Sequence, residues 1–322
     1  MGKSMSVKKL AGFGRICIIA SGFLASATFG VAHAAEIGIS WPGKSASILI
    51  WEKAFKERLT AIAPDLKVET IKEVPTNEEF GAILKRFDTE KDAIVLFRSN
   101  AAEYVKANPT KKPTFFGSVN NVAELDLIEH PEKPEGNYTA ASYFIAPEIQ
   151  LQSFIALTPK VKRLAFVQEA GQASSAAEAG PSLEACRKLA LTCQLIAVPS
   201  ADQIASAIQA KLSEVDALVI GRQAMIIDNA KAVIAAAGDK PVFTYHEKAV
   251  KDGALIGMTA SNEKLGALLA DAVAGVVLKG RKIADTPVIV DTAPTLYINM
   301  NSVQKLGVQV PVELLGSANL IQ

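Results

Sequence analysis

The stretch EIGISWPGKSASILIWEKAFKERLTAI, residues 36–62, contains a strand, a turn and a helix in immediate succession. Ile37 to Ser40 is a short apolar run that meets Trp-Pro-Gly, a turn signal. Beyond it Ile48, Trp51, Phe55, Leu59 and Ile62 recur at spacings of 3, 4, 4 and 3, the period of a helix with one apolar stripe. Glu52 and Lys56 pair on another face, so the helix is expected to cover a sheet. Working outward, the same alternation repeats. Val68–Lys72, Ala93–Phe97, Thr114–Phe116, Arg163–Val167, Gln194–Val198, Ala217–Ile220 and Val242–Thr244 read as strands with helical patterns between them. The alternation predicts an α/β protein with parallel sheets.

The pattern falters between Val119 and Ala146, where Pro131, Pro134 and Gly136 punctuate a charged stretch before Asn137–Tyr143. The first crossing between two lobes is expected there. A fresh helix-strand series runs from Pro147 to about Thr259. Leu265, Leu268, Leu269, Ala272 and Val276 then mark a long helix, with a stop at Lys279 and Gly280. A short terminal series follows through Val288–Val290 and Leu296–Ile298. Several crossings account for this order better than two beads on a linker. Residues 35–141 with 261–290 are expected to form lobe 1, and residues 142–260 with 291–322 lobe 2.

The 322 residues are 49% hydrophobic and 21% charged, which excludes a disordered or collagenous chain. Met1 to Ala34 reads as a secretory signal: Lys3, Lys8, Lys9 and Arg15 without an acid, then Ile16, Ile18, Ile19, Phe23, Leu24 and Phe29, then small Ala32 and Ala34. Cleavage is expected before Ala35. Ser21, Ser26 and Thr28 dilute the apolarity and disfavour an uncleaved anchor. Cys17 leaves with the leader and lacks a lipoprotein context, so a soluble periplasmic protein rather than a lipid-anchored one is expected; a monomer is expected as well. Without the leader cations the 33 acidic residues are in slight excess, which leaves no basic footprint for nucleic acid. Asp271 interrupts Ala267–Leu278, and no run of spanning length remains. Cys186 and Cys193 form one disulfide in an oxidising compartment, or stay as two buried thiols. A metal site would need more ligands than these with His130 and His246, and no cofactor is expected.

Several phrases resemble the periplasmic substrate-binding proteins of ABC transporters, in the branch associated with tryptophan and tyrosine uptake. They are Pro241-Val-Phe-Thr-Tyr-His, Lys251-Asp-Gly-Ala-Leu, Leu265-Gly with Val277-Leu-Lys-Gly, and Leu296-Tyr-Ile-Asn-Met-Asn running to Leu306-Gly-Val-Gln-Val-Pro311. Gly136-Asn-Tyr-Thr and Leu164–Val167 are weaker echoes. The resemblance spans nearly the whole chain after the leader. It implies a type 1 periplasmic binding protein fold, with two doubly wound parallel-sheet lobes, three crossovers and closure on a small ligand. It also implies delivery to an ABC permease in the inner membrane. Ser40-Trp-Pro-Gly-Lys-Ser45 matches the family's polar first-strand loop, and Arg98-Ser-Asn-Ala101 its polar turn after the third strand. An arginine at that turn departs from the family pattern.

Gly38-Ile-Ser-Trp-Pro-Gly-Lys-Ser45 fits the P-loop spelling, but Gly38 lies inside the expected strand and Pro42 removes an N–H from a loop that must present them. The helix beginning near Ser45, with Lys44 beside it, retains a weaker capacity for a carboxylate. Trp41, Phe116, Tyr143 and Tyr245 lie at or just after strands, where open α/β sheets bind ligands, and ordinary packing is the alternative for each. Arg98 and Arg222 each follow a strand in a different lobe, where a guanidinium could hold a carboxylate. Ser99, Asn100, Gln168, Gln223 and His246 occupy neighbouring strand-end positions and complete the expected ligand-binding set. No G-x-S-x-G elbow or H-E-x-x-H helix occurs. The expectation is solute capture rather than catalysis, the ligand being a carboxylate-bearing or amino-acid-like molecule. A sensor docking on a signalling receptor is the alternative.

Overall fold

The computed structural model describes residues 34–322; the expected leader, apart from its last residue Ala34, lies outside the described residues. The first half of the chain gives β1 (Glu36–Pro42), α1 (Ala46–Ile62), β2 (Lys67–Val74), α2 (Asn77–Glu90), β3 (Ala93–Phe97), α3 (Ser99–Ala107), β4 (Thr114–Val119) and β5 (Tyr138–Ser142). The chain then enters a second sheet through α4 (Pro147–Leu157), β6 (Arg163–Glu169), α5 (Ala173–Lys188), β7 (Thr192–Val198), α6 (Ile204–Gln209), β8 (Ala217–Ile220), α7 (Ala224–Asp228), α8 (Ala230–Ala237), β9 (Val242–Thr244), α9 (Glu247–Lys251) and β10 (Ile256–Thr259). It returns with α10 (Asn262–Val277) and β11 (Ile289–Val290), and ends with β12 (Thr295–Asn299), α11 (Met300–Leu306), α12 (Val312–Ser317) and β13 (Ala318–Ile321).

The sheets have the orders β11-β5-β4-β3-β1-β2 and β13-β12-β10-β9-β8-β6-β7. The chain passes between them three times, after β5, after β10 and after β11. The expected two-lobed, doubly wound fold is the observed one. Its sheets are mostly parallel: β12 runs antiparallel to β10, because the last crossing delivers it beside a strand that left in the opposite direction. The terminal strand β13, parallel to β12, was not foreseen.

Local chemistry explains the elements that carry the site. On α1 the stripe Ile48, Trp51, Phe55 and Leu59 is buried, and it packs on Leu265 and Leu269 of α10. The approach is close at Gly266, where a Cβ would stand 2.8 Å from the Trp51 carbonyl oxygen. Trp51 Nε1 donates to Asn262 Oδ1 at 2.8 Å, which ties α1 to the start of α10. Thr76 caps α2 by accepting from the Glu79 amide at 3.2 Å. In the middle of the first sheet, β3 and β4 are buried on both faces, as central parallel strands require. Cys186 at the end of α5 is bonded to Cys193 on β7, joining that helix to the following strand.

Candidate functional site

The carboxyl ends of β1, β3, β4, β5, β6 and β8 meet around one cleft. Ser45, Ser47 and Ile48 reach it from the start of α1, Arg98, Ser99 and Asn100 from the turn after β3, and Ser118 from the end of β4. Tyr143 follows β5, Glu169 ends β6, Gln172 and Ser174 precede or begin α5, and Arg222, Gln223 and Ala224 follow β8. This is where parallel α/β sheets leave loops free to hold a solute. The cavity measures about 50 Å³ and adjoins a second of about 40 Å³ that shares Ser47, Ser118, Tyr143 and Arg222. A water needs roughly 10–15 Å³ on this scale, so the space suits a small solute and not a long chain.

Arg98 begins α3 with φ 84°, a backbone region that L-residues rarely occupy. Such a conformation costs about 1–3 kcal/mol and persists only where the surroundings enforce it. Its amide stays paired to the Gly117 carbonyl at 3.1 Å, while its Nη1 donates to the Pro42 carbonyl at 2.7 Å. Gly43 permits that approach: its φ is 64°, and a Cβ would lie 2.8 Å from Arg98 Nη1. Burial lowers the Arg98 pKa from its ordinary value, and the Glu169 carboxylate across the cleft opposes that shift. Ser118, also in the cleft, has a left-handed φ of 52°.

Arg222 enters from the other sheet and is more deeply buried. Its Nη2 donates to Gln150 Oε1 at 2.6 Å, its guanidinium carbon lies 4.0 Å from the Tyr245 ring centroid, and Glu178 Oε1 stands 3.9 Å from Nη1. No hydrogen-bond partner occupies Nη1. Glu178 is fully buried on α5; its Oε2 accepts from the Arg222 amide at 3.2 Å and from Gln223 Nε2 at 3.1 Å. Burial raises the Glu178 pKa, and the Arg222 charge pulls it back. Burial likewise pushes Tyr143 up to about 12 and Tyr245 further up, so both phenols stay neutral. His246 is lowered, mainly by burial.

Two hydrogen bonds cross the cleft beside these charges. Asn100 Nδ2 donates to Gln172 Oε1 at 3.0 Å, and Asn120 Nδ2 to the Ser174 carbonyl at 3.1 Å. Gln172 in turn donates to Glu169 Oε1 at 2.9 Å.

The expected set is therefore partly assembled. Ser45, Arg98, Ser99, Asn100, Tyr143, Arg222 and Gln223 line the first cavity, and Tyr245 and His246 line the second. Trp41 does not join them. Because β1 extends to Pro42, Trp41 shares the inward face of Ile37 and Ile39, and its ring packs edge-on to Phe97 at 5.8 Å. Phe116 is core on a strand covered on both faces, against Tyr138. Lys44 points to solvent, and Gln168 is buried beside Glu178 without lining either cavity. The sequence reading missed Ser47, Ser118, Glu169, Gln172, Ser174 and Glu178. Glu169 was one strand position from Gln168, and period two puts the two on opposite faces. Glu178 carried a fainter signal, a lone acid on the Ala- and Ser-rich face of α5.

A cleft between two sheets, lined at strand ends by polar groups from both, defines a two-lobed solute-binding protein. Residues 52–321 match the family described as ABC transporter substrate binding protein, and the chain belongs to that family. It is 23% identical over 240 residues to a tyrosine-binding protein of Clostridioides difficile, covering 74% of this chain and 68% of the relative. Among solved structures it is similar to an ABC domain from Streptococcus pneumonia in complex with L-Trp, with TM-score 0.80 and 24% identity over 89% of this chain and 99% of that one. It is also similar to the ligand-free, open form of a substrate-binding protein with adhesive properties from Clostridium difficile, with TM-score 0.70, 18% identity and the same two coverages. Among the described residues no helix is long and apolar enough to cross a membrane.

Proposed function

We propose that this substrate-binding protein captures an amino-acid-like ligand bearing a carboxylate and presents it, as a monomer, to an ABC permease in the inner membrane. The observation that carries the ligand class is the pairing of Arg98 and Arg222 from opposite sheets in one cavity with a single lining carboxylate, Glu169. The two guanidinium groups hold the ligand carboxylate, and Glu169 accepts from its ammonium group. Since the two contacts belong to different lobes, 35–141 with 261–290 and 142–260 with 291–322, the ligand binds the closed form better than the open one. Tyr143 and Tyr245 supply contact area, and the Ser45, Ser99, Asn100, Gln223 and His246 side chains supply neutral hydrogen bonds. The relatives' names, tyrosine-binding and bound to L-Trp, support the amino-acid class.

Export precedes capture: Met1–Ala34 acts as a cleaved signal and the mature chain works in the periplasm. Intact mass of the exported protein is expected to lack those residues, and their retention would refute export by this route. For the ligand, mass spectrometry of the molecule released from purified protein, followed by calorimetry on Arg98→Ala and Arg222→Ala, is the direct test. Loss of a buried charge-assisted contact costs about 2–5 kcal/mol of binding, against well under one for a solvated arginine. Unchanged affinity in both folded variants would remove the clamp.

A further inference from the structure

The second cavity differs chemically from the first. No carboxylate lines it, and Arg222 is its one charged residue. His246, which caps α9, and Asn262, at the start of α10, both line it, and each has an accepting atom already engaged by the protein. His246 Nδ1 accepts from the Lys248 amide at 3.2 Å, which leaves the proton of the neutral ring on Nε2. That Nε2 is buried and has no partner. Asn262 Oδ1 accepts from Trp51 Nε1 at 2.8 Å, which leaves the Asn262 amide N–H groups as the available ones. Thr259 is turned the other way: its Oγ1 donates to the Ala260 carbonyl at 3.1 Å and keeps only accepting capacity.

A buried donor without an acceptor costs free energy until something supplies one. We propose that this cavity is a subsite for the ligand's side chain, and that His246 and Asn262 are specificity-determining donors that require an oxygen acceptor on that side chain. The proposal rests on the amino-acid reading of the first cavity. A side chain with a hydroxyl, amide or carboxyl oxygen pairs the donors, whereas an isostere without the oxygen fills the space and leaves them unpaired. Sites built this way reject the analogue that lacks the polar atom more strongly than apolar pockets reject an added one.

Calorimetry with pairs of L-amino acids matched in shape tests this: tyrosine against phenylalanine, glutamine against methionine, and threonine against valine. In the pair whose size fits, the oxygen-bearing member is expected to bind roughly ten- to a hundredfold more tightly. That ratio is expected to fall several-fold in His246→Asn, which keeps a side chain able to cap α9, and in Asn262→Leu. Phenylalanine, methionine and valine binding as tightly as their partners would overturn the proposal while leaving the amino-acid reading intact. A preference unchanged in both variants would overturn the roles of His246 and Asn262. If no member of any pair binds, the amino-acid reading fails and the proposal with it.

Discussion

Removing Arg222 is expected to damage the fold as well as the site, and the two effects can be separated. Glu178 is fully buried and Arg222 nearly so, with Glu178 Oε1 3.9 Å from Arg222 Nη1. Arg222→Met keeps the apolar stem over the Tyr245 ring but leaves Glu178 as a buried charge with no cation beside it. Breaking a buried pair this way costs about 3–5 kcal/mol. Burial already raises the Glu178 pKa and Arg222 is the main influence lowering it, so the variant raises it further. A carboxyl whose folded pKa exceeds its unfolded value binds more protons in the folded state, so its penalty grows as pH rises above the unfolded value. The instability of Arg222→Met is therefore expected to be greatest at alkaline pH and to shrink on acidification. Adding Glu178→Gln removes the charge while keeping an oxygen for the backbone amide of residue 222, and most of the lost stability is expected to return. Ligand affinity is not expected to return, because the guanidinium is still missing. Urea unfolding between pH 5 and 9, with calorimetry alongside, measures both. A single variant within about 1 kcal/mol of the parent, or a double variant no more stable than the single, would refute the buried-pair argument.

Replacing Cys186 and Cys193 by serine is expected to cost about 2 kcal/mol, the value for closing a short loop, and unreduced wild-type protein is expected to show neither thiol to labelling after unfolding. Asn100→Ala removes the bond to Gln172 across the cleft and is expected to weaken ligand binding several-fold, about 1 kcal/mol, with little change in unfolding midpoint; equal losses in both would assign it to folding instead. Asp216 accepts from the Lys162 and Arg163 amides and from the Arg163 guanidinium, and its pKa is held down at about 2. The depressed folded value means that its stabilisation is present above the unfolded carboxylate range and lost as pH falls toward 2. Asp216→Asn is thus expected to be less stable at neutral pH and to converge with wild type in acid-dependent melting curves.

The element order was legible because each strand and helix announces its period within a few residues. Ala93–Phe97 and Ala217–Ile220 are continuous apolar runs, and Arg98, directly after the first, and Arg222, one glycine beyond the second, could be placed at strand ends from the sequence alone. That both would line one cavity follows from the way the sheets face each other, which no local pattern encodes. The same limit explains the errors. The sequence alone reads Trp41 as a turn residue because Pro42 and Gly43 follow it, yet β1 continues through Pro42 and the alternation Ile37, Ile39, Trp41 carries the indole inward. Phe116 sits where a strand end would meet a ligand, but neighbours on both faces of β4 bury it.

The sequence by itself determined the α/β class, the succession of strands and helices and the positions where polar groups interrupt apolar strands, because hydrophobic period and turn chemistry act over a few residues; the doubly wound lobes were what the family resemblance implied. Only the tertiary structure decided the antiparallel β12, the pairing of β13, and the burial of Glu178 behind Arg222. It also decided the difference between a cavity with a lining carboxylate and one without, where His246 Nε2 is left with no partner. These depend on which distant residues share a dry space, where desolvation and pairing set the state of each polar atom.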